Sequence, residues 1–131
     1  MRVLLIEDDE ASRRVTIRIL EHAGHTVSWA ASGERGLEQM RLEAPDALIL
    51  DLMLPGKSGF EVAGEMRFDP ELRDIPIIIL SGMGDDEIRA RSLGIAHSLS
   101  AVSIRMSKPP NVKELLDVLD RIYASRHPET P

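Results

Sequence analysis

The chain has 131 residues, 43% hydrophobic and 29% charged, with a net charge of −6, the profile of one domain able to bury a sizeable core. Cysteine is absent, which excludes disulfides, thiolate metal sites and a cysteine nucleophile, and fits a reducing cytoplasm. The acidic balance and sparse aromatics (two Phe, one Trp, one Tyr) argue against direct nucleic-acid binding, and no apolar run suits a signal peptide or a membrane span.

In chain order, residues 3–6 (Val-Leu-Leu-Ile) predict a short buried strand, followed at once by Glu7, Asp8 and Asp9. A helix is expected over 10–23, where Ala11, Val15, Ile19 and Ala23 recur every fourth residue and Gly24 supplies a stop. A weaker strand over 26–30 leads to a helix over 32–43, capped by Ser32, with Leu37 and Met40 inward. The run 47–50 (Ala-Leu-Ile-Leu) ends in Asp51 and a loop bearing Pro55, Gly56 and Gly59. A third helix over 59–68 then points Phe60, Ala63 and either Met66 or Val62 inward. Residues 75–80 read as the fourth strand, ending in Ser81 and Gly82.

Residues 85–101 give a loose helical stripe of Ile88, Leu93, Ile95 and Leu99, broken by Gly94. Over 101–106, Val102, Ile104 and Met106 alternate with polar residues, as in an edge strand with one wet face. Lys108 follows, before Pro109 and Pro110. The last helix starts at Asn111 as cap, with Glu114 completing a capping box, and carries Val112, Leu115, Leu116, Leu119, Ile122 and Tyr123 as its apolar stripe. The domain is expected over 1–126, with 127–131 a tail or the start of a linker. Strand–helix alternation of this kind predicts an α/β, doubly wound parallel sheet with right-handed crossovers.

In such a sheet, ligands bind beyond the carboxyl ends of the strands. Those ends carry three acids after the first strand, Asp51 after the third, Ser81 after the fourth and Lys108 after the fifth. Clustered carboxylates repel one another unless a cation screens them, and Mg2+ favours one or two carboxylates plus water. The same acids also suit a helix start, where they complement its dipole. Asp51 can act as a carboxylate nucleophile toward a phosphoryl group, or simply be a turn Asp. Phosphoryl transfer needs an in-line nucleophile and compensation of oxygen charge. A metal, the Lys108 ammonium, the Ser81 hydroxyl and the Gly82 N–H could supply that compensation, and a cis Lys108–Pro109 bond could aim the lysine inward.

Glu7-Asp8-Asp9, the segment from Asp51 through Gly59, Ser81-Gly82 and Lys108-Pro109 together resemble the receiver domain of two-component response regulators. The resemblance spans residue 2 to about residue 125. It implies a flavodoxin-like fold, a five-stranded parallel sheet in the order 2-1-3-4-5 with five flanking helices. It also implies a signalling switch in a phosphorelay rather than an enzyme. Asp51 would accept a phosphoryl group from a sensor histidine kinase, a phosphotransfer protein or a small donor such as acetyl phosphate. Asp8 and Asp9 would hold Mg2+ with Asp51 and the backbone carbonyl of Met53, while Ser81, Gly82 and Lys108 would contact the phosphoryl oxygens. A homodimer through the face made by the fourth helix, fifth strand and fifth helix is implied as well.

Two departures from the family pattern stand out. Arg105 holds the place, three before the lysine, where relatives carry an aromatic switch residue. Residues 94–100 (Gly-Ile-Ala-His-Ser-Leu-Ser) replace a Gly-Ala-Asp-Asp-Tyr-like turn. Met53 and Met83 flank the expected phosphoryl site and could hinder attacking water. Two other readings compete: a degenerate receiver acting as a phosphorylation-independent interaction module, and a Mg2+-dependent phosphohydrolase with an aspartyl-phosphate intermediate.

Overall fold

The computed structural model describes residues 1–82 and 103–127. Five strands, β1 (Arg2–Ile6), β2 (Thr26–Ala30), β3 (Ala47–Asp51), β4 (Ile77–Ser81) and β5 (Ser103–Ser107), form one parallel sheet in the order β2-β1-β3-β4-β5. Among the described residues four helices pack on it: α1 (Glu10–His22), α2 (Gly33–Leu42), α3 (Gly59–Arg67) and α4 (Val112–Arg126). The expected helix over 85–101, the first two residues of the expected fifth strand, and Met83 lie outside the described residues.

The apolar runs split by the two-residue period of a strand into two core layers. Leu4, Ile6, Leu48, Leu50, Ile77 and Ile79 point to one face, where they meet Leu37 and Met40 of α2 and Phe60, Val62, Ala63 and Met66 of α3. Val3, Leu5, Ala47, Ile49, Ile78 and Leu80 point to the other, against Leu20 of α1 and Leu115, Val118, Leu119 and Ile122 of α4. Each such aliphatic side chain gives roughly 1.5–3 kcal/mol on burial, so the three central strands anchor the domain.

Caps fix where the helices begin. Asp9, Ser32, Ser58 and Asn111 each accept a backbone N–H from the third residue of the following helix. Ser58 and Glu61 form a reciprocal capping box that the Ser-x-x-Glu spacing could have announced. Asn111 takes the Glu114 N–H at 2.9 Å, the forward half of the expected box.

One helix, α1, turns a different face inward than its spacing suggested, while α4 buries Leu115, Leu119 and Ile122 as expected and differs only at the margins of its stripe. In α1 the buried residues are Thr16 and Leu20, and Val15 is 59% exposed. A series taken every fourth residue drifts about 40° around the axis per step, so it traces a spiral rather than a face. In α4 Val118 joins the buried stripe, while Val112 and Tyr123 are exposed, and the Tyr123 ring stacks on His127. β2 is an edge strand with only Ala30 buried, and on β5 Met106 is buried while Ile104 is exposed.

Candidate functional site

Register brings the polar residues together. β1 pairs with β3 so that Ile6 is level with Leu50, which carries Glu7 level with Asp51. On the other side, Asp51 is level with Leu80 and Ser81 with Ser107, so every strand except the edge strand β2 contributes to one crevice. The Lys108 N–H donates to the Ser81 carbonyl at 3.1 Å, tying the end of β5 to the end of β4, and the Lys108–Pro109 bond is cis.

Asp51 is buried, and so is Glu7. The Lys108 ammonium bridges them, at 2.5 Å from Glu7 Oε1 and 3.0 Å from Asp51 Oδ2. The other Asp51 oxygen, Oδ1, accepts the Met53 N–H at 3.0 Å. Behind it, Gly59 packs onto the Asp51 and Leu52 backbone so tightly that a side chain there would meet the Leu52 Cα at 2.6 Å. Its N–H donates to the Leu52 carbonyl at 3.1 Å, closing the loop that presents Asp51.

Burial pushes the Glu7 carboxyl above its usual range; the bond from Lys108 opposes this and the neighbouring Asp51 reinforces it. Burial also works against the Lys108 charge, but the bonds to Glu7 and Asp51 outweigh it and raise its pKa. The ammonium is therefore a fixed positive charge at neutral pH.

Carboxylate oxygens of Glu7, Asp8 and Asp51 lie within 4.8 Å of one another, with Asp8 exposed to the mouth of the crevice. Three carboxylates against one ammonium leave the crevice two charges negative. An all-oxygen set of this kind suits a hard divalent cation such as Mg2+. The structure groups the acids differently from the expected pair of Asp8 and Asp9. Asp9 turns its carboxylate away to cap α1, taking the Ser12 N–H at 2.8 Å, and the bonds from Ser12 hold it below the usual carboxylate range. The first acid after β1, rather than the third, belongs to the cluster, because residue 7 is the one level with Asp51.

Ser81 is buried at the end of β4, next to Gly82. Among the described residues nothing lies within 4 Å of where a Gly82 side chain would begin. The Met53 side chain is half exposed beside the site, and Arg105 is exposed on β5, level with Ile79. Sequence reasoning missed Glu7 as the partner of Lys108. It also missed Arg13, whose Nη1 donates to the Glu7 carbonyl at 3.1 Å and whose guanidinium lies 3.9 Å from the centre of the Trp29 ring.

Residues 3–120 match the family model described as response regulator receiver domain, and the chain belongs to that family. The transcriptional regulatory protein AfsQ1 of Streptomyces coelicolor is 48% identical over 84 residues, which cover 64% of this chain and 36% of that protein. The response regulator MprA of Mycobacterium avium is 31% identical over 129 residues, 98% of this chain and 54% of that protein. The chain thus spans about a third to a half of the length of these curated relatives. The crystal structure of Vibrio cholerae chemotaxis protein CheY4 superposes with a TM-score of 0.78 at 26% identity, covering 92% of this chain and 97% of that one. The receiver fold, five parallel strands in the order 2-1-3-4-5 of flavodoxin-like type, is therefore that of the family as well as of the sheet itself. Among the described residues no helix is long and apolar enough to cross a membrane.

Proposed function

We propose that this receiver domain is a phosphorylation switch whose acceptor is Asp51. The observation that carries the reading is the pairing of buried Asp51 with Lys108 beside an acidic cluster at the carboxyl ends of the strands. Glu7, Asp8 and Asp51 would hold Mg2+, with the Met53 carbonyl as a further oxygen donor by family resemblance. When bound, the ion supplies charge neutralisation for the phosphoryl oxygens.

The chain's own groups do the rest. An Asp51 carboxylate oxygen attacks the phosphorus of a phosphohistidine on a sensor kinase or phosphotransfer protein. An O–P bond forms as the P–N bond breaks, and the imidazole leaves with the electron pair. Lys108 stays on the acceptor side as counter-charge, and the Ser81 hydroxyl and Gly82 N–H receive the transferred group. The protein works in the cytoplasm, where its donor resides, and the surface around Arg105 on β5 carries the output. Met53, half exposed beside the acceptor, shields the acyl phosphate from water.

Incubation with Mg2+ and acetyl phosphate, followed by intact mass, tests the acceptor. The wild type gains one phosphoryl group and Asp51→Asn gains none. No gain in the wild type supports an interaction module that needs no phosphorylation, and bulk release of phosphate over many turnovers supports a phosphohydrolase.

A further inference from the structure

The acidic turn that supplies Glu7 and Asp8 is held by a residue outside the site. Glu7 is bound at every polar group: its N–H donates to the Ala30 carbonyl at 3.0 Å, and its carboxylate takes Lys108 and the Asp9 N–H. Its carbonyl takes Arg13 Nη1 at 3.1 Å. That guanidinium is itself stacked at 3.9 Å on Trp29, the only tryptophan of the chain. Arg13 thus reaches from α1 across the start of the turn to the edge strand β2.

We infer that Arg13, seated on Trp29, is a positioning residue that sets the acidic turn for cation binding. The peptide joining Glu7 to Asp8 is planar, so gripping the Glu7 oxygen also sets the Asp8 Cα and the direction in which its carboxylate leaves. The Arg13 charge lies on the backbone side of the turn and the Trp29 face takes up its other side, so it steadies the acids without occupying the crevice. A guanidinium suits this task because its planar fork stacks and donates at once. The inference rests on the reading of Glu7, Asp8 and Asp51 as the cation site.

Binding of Mn2+ alone, followed by loss of the free-ion electron paramagnetic resonance signal, reads the clamp directly. Arg13→Ala is expected to weaken Mn2+ binding about tenfold, the low end for loss of a group that orients a ligand. Arg13→Lys, which keeps the charge but loses the planar fork, is expected to fall between wild type and Arg13→Ala, and Trp29→Leu to lose about two- to fivefold. In chelator, Arg13→Ala uncovers the Trp29 ring and raises its quenching by acrylamide, a signal that needs no metal. Mn2+ affinity within about twofold of wild type in both Arg13→Ala and Trp29→Leu, with unchanged circular dichroism, overturns the clamp. Asp8→Ala separates the two readings. If the wild type binds Mn2+ no better than Asp8→Ala, the cation site itself is wrong and the clamp falls with it. If Asp8→Ala abolishes binding and the Arg13 and Trp29 variants leave it intact, only the clamp is wrong.

Discussion

Lys108 holds two buried carboxylates with one ammonium, and removing that charge is the sharpest test of how the crevice is balanced. Lys108→Met keeps the apolar stem and deletes only the charge. Unit charges 2.5 and 3.0 Å apart attract by roughly 5–7 kcal/mol each at an effective dielectric of about 20. Desolvation cancels most of that, so the gross figure is no guide to the net loss. Breaking a buried pair by removing one partner costs about 3–5 kcal/mol, and with the Lys108 side chain 24% exposed a loss of about 2–4 kcal/mol is expected. Urea unfolding at neutral pH in chelator reads this as a midpoint lowered by about 1–2 M with little change in slope. Adding Mg2+ to both proteins at one concentration, about 100 times the wild-type Kd, stabilises the wild type by about 2.7 kcal/mol. The variant should gain more than the wild type, since its crevice is one charge more negative. A loss under about 0.5 kcal/mol in chelator, or equal Mg2+ stabilisation of both proteins, would refute the balance argued from Lys108.

Asp8→Ala should abolish Mg2+ binding measured by calorimetry. Asp9→Ala should leave affinity within about twofold while lowering the melting temperature through loss of the α1 cap, and the reverse result would restore Asp9 to the cluster. Gly59→Ala puts a methyl group against the Asp51 carbonyl and the Leu52 Cα; a loss of about 1–3 kcal/mol in urea unfolding is expected, with slower phosphorylation, and unchanged values would show that the loop yields freely. Burial, then the nearby N-terminal amine, depress the His25 pKa below 6.5, although Asp120 pulls the other way. The unfolded chain therefore binds more protons, so His25 contributes stability that is present above 6.5 and lost as pH falls through its folded value. Between about pH 7.5 and about pH 5 the melting temperature of His25→Gln should gain on the wild type, and a constant difference would contradict the sign.

The sheet was legible because its evidence is local. Ala47 to Leu50 and Ile77 to Leu80 are continuous and aliphatic, and their shortness between polar and turn residues favours a strand covered on both faces over a buried helix. Asp51 and Ser81 were legible as strand ends for the same reason, since each follows such a run directly; Lys108 follows the alternating β5 instead and was marked by the two prolines after it. The acids of the cluster were harder to assign. Three acids in a row give no phase of their own, and which of them faces Asp51 depends on the register between β1 and β3. Glu7 sits one residue past Ile6 as Asp51 sits one past Leu50, a correspondence visible only when the two strands are aligned. Asp9 stands three before Ser12, the spacing of an N-cap, and that local bond claims it. Arg13 carried no signal in the sequence: on an amphipathic helix an arginine reads as solvent-facing, and its partners come from β2 and from the end of β1.

The shared lysine also explains why cation and phosphoryl group belong together in the proposed switch. Glu7 is 3% exposed, with Lys108 as its counter-charge and a carboxyl already pushed up by burial. A phosphoryl group on Asp51 adds negative charge on the other side of the same ammonium and draws it away from Glu7. Without the ammonium, the buried Glu7 carboxylate would keep only the Asp9 N–H at 3.2 Å, and an ionised group so poorly compensated costs several kcal/mol in a dry site. Glu7, Asp8 and Asp51 would hold a divalent cation, which would supply the missing charge on the Glu7 side and let Lys108 serve the phosphoryl side. The acyl phosphate should therefore form slowly in chelator for a reason built into this crevice: one ammonium cannot satisfy both carboxylates and a phosphoryl group. Glu7→Gln removes the competing demand, so it should narrow the gap between phosphorylation rates with and without Mg2+. An unchanged gap would show that Lys108 is not what links the two.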